Sequence, residues 1–267
     1  MSDQVLDHRG GLVPGAARSG PVVLATMVGR CVRLSSRNID ALITALMLPV
    51  MIMLLFVYLF GGAISTGTAY VTYVVPGVLL LCACFGSATT AVTVSQDLTG
   101  GIVDRFRSMD LGGAALLTGH VTASVLRNAV STALVFGVAF AIGFRPHADL
   151  VHWLAALGVL VLFVVALSWV SAMVGVLAGS PEAANGFSFF AMFISYPSSA
   201  FVPIDTMPTW MQGFARNQPI TQVVESLRGL LLDRPLGSYV GAAVAWSLGI
   251  TAVSVLASAV LFRRRTL

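Results

Sequence analysis

Hydrophobic residues in this chain occur in long runs that short polar segments separate. No Asp, Glu or Arg lies between Asp40 and Asp97, a stretch of 56 residues. A membrane-spanning helix needs about 20 consecutive, mostly apolar residues. This stretch therefore predicts two spanning helices joined by a short loop, the first over residues 39–60 and the second over residues 70–95.

Four further apolar runs follow, each long enough for one span. They predict a third span over residues 121–143, a fourth over 153–179, a fifth over 185–202 and a sixth over 239–262. Pro197 is expected to kink the outer end of the fifth helix. The fold class predicted is an all-α membrane protein with six transmembrane helices.

Residues 22–37 form a different pattern, in which polar and apolar positions share one segment. Arg30, Arg33 and Arg37 fall on one side of a helix of 3.6 residues per turn, and apolar residues fall on the other. This predicts an amphipathic helix lying in the membrane interface. A charged flank of the first span remains the alternative.

The polar residues 1–21 predict a flexible cytoplasmic tail. Residues 38–267 are then the membrane domain, with its six helices.

Residues 203–238 are too interrupted to span and too weakly charged to predict disorder. Four prolines punctuate the segment, and two short helices are predicted between them, over residues 207–216 and 221–232. The second helix has an apolar stripe. We expect an extracellular helical cap between the fifth and sixth spans, with this stripe dipping into the bilayer or a cavity.

Composition supports a membrane protein, since 57% of the residues are hydrophobic and only 10% are charged. Soluble domains carry about 25% charged residues. Orientation follows from the arginines, because cytoplasmic loops are enriched in positive charge. With both termini in the cytoplasm, eight arginines flank the spans inside (30, 33, 37, 105, 107, 263, 264 and 265) and four lie outside (145, 216, 228 and 234).

The sequence contains no lysine, so all 15 of its basic residues are arginine. A P-loop needs a lysine on the nucleotide phosphates, so this sequence holds no P-loop and is not expected to hydrolyse ATP. The arginines lie beside spans and form no separate basic domain, so no nucleic-acid partner is expected. Cysteine and histidine spacings indicate no metal site. The four histidines are expected in ordinary surface or interface positions.

Residues 96–110 are the most polar segment between two spans. Gly100 and Gly101 should end the second helix, and residues 102–109 can form two further turns. One face of these turns would carry Phe106 among apolar neighbours, with charged residues around it. A short helix of this kind suits docking into a groove on a partner, although a solvated interfacial loop is the alternative.

The sequence Gly-x-x-Asp-Arg-Phe-Arg-Ser-Met at residues 101–109 resembles the cytoplasmic loop of type-2 ABC exporter permeases, especially the daunorubicin-resistance-like drug exporters. Three other features match as well: the Arg-bearing helix before the first span, the cap, and the motifs at 207–211 and 217–221. The resemblance covers nearly the whole chain from about residue 22. It departs at Asp110, where such permeases often carry Pro.

The resemblance implies a permease of the bacterial cytoplasmic membrane, paired with a second copy or a paralogue and surrounded by membrane lipid. Two separate cytoplasmic ATPase subunits would dock beneath it and hold ATP and Mg²⁺, and this chain would bind no cofactor. Residues 22–37, with Arg30, Arg33 and Arg37, would be the connecting helix. The coupling helix that contacts the ATPase would include Gly101, Asp104, Arg105, Phe106, Arg107 and Met109.

In similar permeases the second and fifth helices line the substrate path between protomers. Phe189, Phe193 and Tyr196 share one side of the predicted fifth span, so the resemblance makes them candidates for the path of a drug-like or amphipathic substrate. Helix packing or a dimer seam is the alternative role. The one charge inside a predicted span, Arg127, is expected either to snorkel to the membrane surface or to form an ion pair.

Three other functions remain open: an intramembrane enzyme, a scaffold without transport, and a permease for lipid-linked glycans. A rhomboid-like protease needs a Gly-x-Ser-Gly motif and an intramembrane histidine. The sequence at residues 85–88, Phe-Gly-Ser-Ala, lacks that pattern.

Overall fold

The computed structural model describes residues 20–37, 39–62, 69–100 and 113–266, and this part of the chain is helical without strands. The helices are α1 (Gly20–Arg37), α2 (Ile39–Leu55), α3 (Tyr70–Thr99), α4 (Gly113–Ala141), α5 (Leu150–Leu177), α6 (Pro181–Phe193), α7 (Thr209–Asn217), α8 (Pro219–Leu232) and α9 (Tyr239–Thr266). A π-helical turn (Phe56–Phe60) extends α2, and a 3₁₀ turn (Ile204–Thr206) precedes α7.

Four of the described helices are long and apolar enough to cross a membrane: α3, α4, α5 and α9. They correspond to the predicted second, third, fourth and sixth spans. Each extends beyond one predicted boundary. α3 and α9 continue at their C-terminal ends past the apolar residues into polar ones such as Asp97, whereas α4 and α5 begin earlier than predicted and end two residues earlier. The chain is therefore a multi-pass membrane protein.

The predicted first span has the expected bounds. α2 and its π-helical turn run from Ile39 to Phe60. Side chains are described for its segment Met47–Phe60, which is apolar. The count of six full spans therefore stays a prediction, and four are evident in the described part of the chain.

The prediction of one continuous helix over residues 185–202 is wrong in both of its bounds. α6 begins earlier, at Pro181, and ends at Phe193 after 13 residues, which is about 20 Å of helix. The hydrocarbon core of a bilayer is about 30 Å thick. The helix stops because the next residues favour turns: the Ser198 hydroxyl donates to the Ser195 carbonyl, and Pro197 has no N–H to continue the ladder.

Residues 194–203 are an irregular segment whose carbonyl groups are bonded by side chains of α3. The Tyr70 hydroxyl donates to the Phe201 carbonyl at 3.0 Å, and the Tyr73 hydroxyl donates to the Ser199 carbonyl at 3.0 Å. Non-helical backbone at membrane depth is tolerated where protein groups replace water as partners. The two tyrosines, three residues apart on one face of α3, supply those partners.

Arg228 of α8 completes this arrangement from the other side. Its guanidinium donates to the carbonyls of Ser199 at 2.6 Å and Ala200 at 3.2 Å, and to the Tyr73 carbonyl at 3.1 Å. It also donates to the Glu225 carboxylate at 2.6 Å and lies 3.6 Å from the centre of the Tyr73 ring. Arg228 is 1% exposed, so a buried cation joins α8, α3 and the irregular segment.

The helix α3 lies at the centre of the structure and α9 at its edge. In its apolar window 89% of the α3 residues are buried inside the protein, against 17% for α9. α3 packs against α2, α4, α5, α6 and α8, while α9 packs mainly against α5 and α8. Most of the α9 surface is therefore left for lipid or another subunit.

The apolar stripe of α8 faces the protein. Val223, Val224, Leu227, Leu230 and Leu231 are all buried in the main core, against α3, α5 and α9. The amphipathic helix was predicted with its stripe in the bilayer or a cavity, and the structure packs the stripe against other helices. Its left-handed C-cap at Asp233 (φ 52°) ends the helix before the turn into α9.

The helix α1 crosses α4 at close range. A Cβ atom placed on Gly119 would lie 3.3 Å from the Cys31 Sγ atom and 3.3 Å from the Met27 carbonyl carbon. Both Met27 and Cys31 are buried. The amphipathic helix therefore docks on the membrane domain through its apolar side.

Replacing Gly77 with alanine should destabilise the protein. A Cβ there would overlap with the Ala200 carbonyl of the irregular segment, and repacking around such an overlap costs about 1–3 kcal/mol. Gly137→Ala is the matched control, because nothing lies within 4 Å of a Cβ at that helical glycine. Thermal unfolding of the detergent-solubilised variants would test this, and equal midpoints for both variants would contradict the α3 contact.

Gly119→Cys should form a disulfide bond with Cys31 under mild oxidation. A Cβ at position 119 would lie 3.3 Å from the Cys31 Sγ atom, close to the ~3 Å that an S–S bond of about 2.05 Å and one further C–S bond span in a bridge. Mass spectrometry of peptides would detect the crosslink, with Gly119→Cys/Cys31→Ser as the control. A thiol that stays free at position 119 of the Gly119→Cys variant after oxidation would show that α1 does not lie on α4 as described.

Candidate functional site

One charged cluster lies where α1, α3 and α4 meet. Arg30 of α1 donates two hydrogen bonds to the Asp97 carboxylate of α3, at 2.8 and 3.1 Å. The His120 Nε2 atom of α4 lies 3.0 Å from the Asp97 Oδ2 atom. We call these three residues the Asp97 cluster.

The Asp97 cluster is largely shielded from solvent. The Asp97 and His120 side chains are 6% and 4% exposed, and Arg30 is 31% exposed. The hydrogen bond to Asp97 raises the pKa of Arg30, so the guanidinium stays charged. Removing one partner of a buried ion pair lowers stability by about 3–5 kcal/mol. Because Arg30 is partly exposed, solvent screens its charge and its loss costs less than that.

The Asp97 cluster brackets residues 101–112, which lie outside the described residues. α3 ends at Thr99, where the Gly100 amide donates to the Gln96 carbonyl, and α4 begins at Gly113. Asp97 and His120 thus stand just before and just after this stretch. The predicted coupling residues Gly101, Asp104, Arg105, Phe106, Arg107 and Met109 all fall within it.

The arginines predicted on the connecting helix have different surroundings. Arg30 turns inward to Asp97, whereas the exposed Arg33 donates its Nε–H to the Gly29 carbonyl at 3.1 Å. Arg37 ends α1, and its side chain lies outside the described residues. Arg30 is therefore an ion-pair partner of Asp97, although the sequence pattern places it on the same side of the helix as Arg33 and Arg37.

Sequence reasoning missed Asp97 and His120 as partners. Asp97 is the first acid after the 56-residue apolar stretch, which was a usable signal, because an acid at the end of a span needs a partner. His120 is 4% exposed, so a surface position for it is wrong. The remaining histidine described near an acid is His152, whose backbone amide donates to Asp149 at the start of α5.

The predicted substrate-path residues lie on and beyond the exposed side of α6. Phe189 and Phe193 are each 62% exposed. Tyr196 lies past the end of the helix, with its ring 6.4 Å from Phe193 and 5.6 Å from Phe201. Phe201 in turn stacks on Phe56 of the α2 π-helical turn at 4.7 Å.

These four rings, Phe193, Tyr196, Phe201 and Phe56, form what we call the aromatic row. It links α6, the irregular segment and α2. The sequence predicted only its first two members. Phe201 follows the irregular turn after α6 and so lies off the helical stripe, and Phe56 belongs to a distant part of the chain.

Residues of α6 also line an apolar cavity of about 380 Å³. Phe187 and Phe190 contribute to it from α6, with Phe163 from α5 and Trp246 from α9. Gln218, which is 5% exposed, lines it as well. Phe190 is itself 62% exposed, so this cavity adjoins the exposed aromatic surface of α6.

Arg127 points at α3, so the prediction that it snorkels to the surface does not describe its position. Its guanidinium donates to the Gly86 carbonyl at 2.7 Å and to the Thr90 hydroxyl at 3.0 Å. Gly86 lies near the middle of α3. The bonds therefore join α3 to α4 deep in the membrane domain.

A buried polar group beside Arg127 extends this junction to α5. The Ser168 hydroxyl donates to the Ser124 hydroxyl at 2.9 Å, and the Asn128 amide donates to the Ser124 carbonyl at 3.0 Å. The hydroxyl oxygens of Ser87 and Ser168 lie 3.4 Å apart. In the described residues no three Cys, His, Asp or Glu side chains gather as a metal site, and this polar group holds helices together.

Comparison with known proteins gives a consistent result. The ABC-2 type transporter family matches residues 23–232. A daunorubicin resistance ABC transporter permease protein, DrrB1 of Streptomyces coeruleorubidus, is 30% identical over 226 residues, which cover 84% of this chain and 80% of the relative. A probable doxorubicin resistance ABC transporter permease protein, DrrC of Mycobacterium tuberculosis, is 23% identical over 257 residues, or 94% and 93% of the two chains.

The family match covers well over half of the chain, including the three helices of the Asp97 cluster, and the resemblance found in the sequence is confirmed. This chain belongs to the ABC-2 type transporter family and is a multi-pass ABC permease.

Proposed function

We propose that this chain is the permease subunit of an ATP-driven exporter and forms part of the path for a drug-like or other amphipathic molecule. The observation that carries the proposal is the family match together with relatives named as drug-resistance permeases. The aromatic row and the exposed Phe189 support an apolar or aromatic substrate, since small-molecule sites are lined mostly by hydrophobic and aromatic side chains.

A separate ATPase subunit would bind ATP and Mg²⁺ and drive this chain. The sequence has no lysine for the phosphates of a nucleotide. Residues 101–109 would contact that ATPase, since they join the adjoining ends of α3 and α4, which pack against each other. Movement of the ATPase would then pass directly into the most buried helix of the permease.

The arginine distribution supports placing this end of the molecule in the bacterial cytoplasm, with both termini on the same side. Residues 1–21 would be a cytoplasmic tail, 22–37 the connecting helix and 38–267 the membrane domain. The exposed apolar residues of α9, such as Val253 at 66% and Leu256 at 68%, suit contact with lipid chains. A second permease copy or a paralogue would complete the path.

Replacing Phe106 with alanine should uncouple ATP hydrolysis from transport. The ring is the one aromatic residue of the proposed docking helix, and loss of an interface anchor costs about 2 kcal/mol or more. Doxorubicin transport and ATP hydrolysis would be measured together in proteoliposomes with the ATPase subunit. Tyr58→Ala is the control, because it removes a ring that is 74% exposed elsewhere. Unchanged assembly and coupling in Phe106→Ala would disprove the contact.

The exposed rings of α6 and the rings of the cavity should differ in their effect on transport. Phe189→Ala/Phe193→Ala should raise the KM for doxorubicin transport by about 30-fold, since each truncated contact costs about 1 kcal/mol and 1.4 kcal/mol is ten-fold. Phe163→Ala/Phe187→Ala, matched in residue type and number, should lower thermal stability more than it changes KM, because both rings line the cavity and Phe163 is 1% exposed.

Size-exclusion chromatography with light scattering would accompany this comparison. If the first double variant dissociates the permease dimer and leaves KM unchanged, the exposed rings form the dimer seam and not the path.

A further inference from the structure

We propose that Arg30, Asp97 and His120 are positioning residues for energy coupling, which join α1 and both ends of the 101–112 stretch into one moving unit. This inference rests on the proposed function, because it assumes that the ATPase acts on residues 101–109. The Asp97 cluster would pass a movement of the ATPase on to three helices at once.

The geometry of the Asp97 cluster suits this task. One carboxylate binds partners from two other helices, at distances of 2.8 to 3.1 Å. The two Arg30 bonds are parallel and reach both carboxylate oxygens. A paired contact of this type fixes orientation as well as distance, so α1 cannot rotate on α3 without breaking it.

Its position along the chain separates this role from ordinary packing. Asp97 is three residues before Gly100, and His120 is seven residues after Gly113. A force applied between those two glycines enters α3 and α4 at their ends. The Asp97–His120 contact keeps these ends together, so both helices move by the same amount.

The crossing of α1 and α4 supplies an independent second link. Gly119 lets the α1 backbone at Met27 approach α4 closely, one residue before His120. α1 therefore follows α4 through packing and follows α3 through Arg30. A helix held at two points on two neighbours reports their joint movement, whereas a helix held at one point can slide.

Arg30 is the member best suited to a test, because it is the most exposed of the three. Arg30→Gln would remove the charge, Arg30→Lys would keep it without the paired geometry, and Arg30→Asp/Asp97→Arg would reverse the pair. Arg216→Gln is the matched control, since Arg216 forms a comparable but exposed pair with Asp205 at 2.6 Å.

The experiment measures transported doxorubicin per ATP hydrolysed by the complete permease–ATPase complex in proteoliposomes. In Arg30→Gln this ratio should fall by about five-fold or more, the lower range of coupling effects between distant sites. Arg30→Lys and the reversed pair should recover part of it, and Arg216→Gln should keep the normal ratio. An unchanged ratio in Arg30→Gln, or an equal fall in Arg216→Gln, would overturn the proposal.

A second readout needs no transported substrate. Hydrogen–deuterium exchange in α1 is compared before and after trapping the complex with ATP, Mg²⁺ and vanadate. In the unmodified complex, trapping should change exchange in α1 together with the ends of α3 and α4. In Arg30→Gln the change in α1 should fall while the change in α3 remains, because only the packing contact with α4 is left, and an undiminished change in α1 would overturn the proposal.

The two readouts also separate this inference from the proposed function. If doxorubicin is not transported but α1 responds to trapping more strongly when Arg30 is present, the substrate assignment fails and the coupling role stands. If Phe106→Ala transports normally while Arg30→Gln shows the reduced ratio, the role of the Phe106 ring fails and the Asp97 cluster still couples. If α1 responds equally to trapping in the unmodified complex and in Arg30→Gln, only the inference fails.

Discussion

The absence of water inside a bilayer is the constraint on which this structure depends, because each buried backbone group then needs a partner within the protein. Residues 194–203 leave the helical pattern within the membrane domain. Their carbonyls therefore lack helical partners and must be hydrogen-bonded by side chains. Tyr70, Tyr73 and Arg228 supply these bonds together. The same contacts hold α3 and α8 in place, so satisfying the backbone also fixes the packing of the core.

The long helices were predictable because a single physical rule determines them. Apolar runs of sufficient length must be helical in lipid, and this rule located α3, α4, α5 and α9, although the run of α4 contains Arg127. α8 was predictable too, since its apolar stripe repeats at helical spacing. Composition alone could not say whether that stripe meets lipid or protein, because both are equally apolar.

The fifth span and the Asp97 cluster show where this reasoning ends. Hydropathy treats residues 185–202 as one run, but Ser195, Ser198 and Pro197 redirect the backbone locally. Arg30, Asp97 and His120 are separated by 67 and 23 residues, so their contact arises only when three helices pack together. The signal in the sequence was limited to an acid at the end of a span.

Because one carboxylate binds two partners, substitutions at these three positions should depend on one another among homologous permeases. Loss of Asp97 would leave Arg30 beside His120 with no acid between them, whereas loss of either partner leaves the acid with the other. Divergence at these three positions should therefore be ordered: a basic partner is replaced first and the acid follows. Homologous permeases with a neutral residue at the position of Asp97 should then have neutral residues at both of the others.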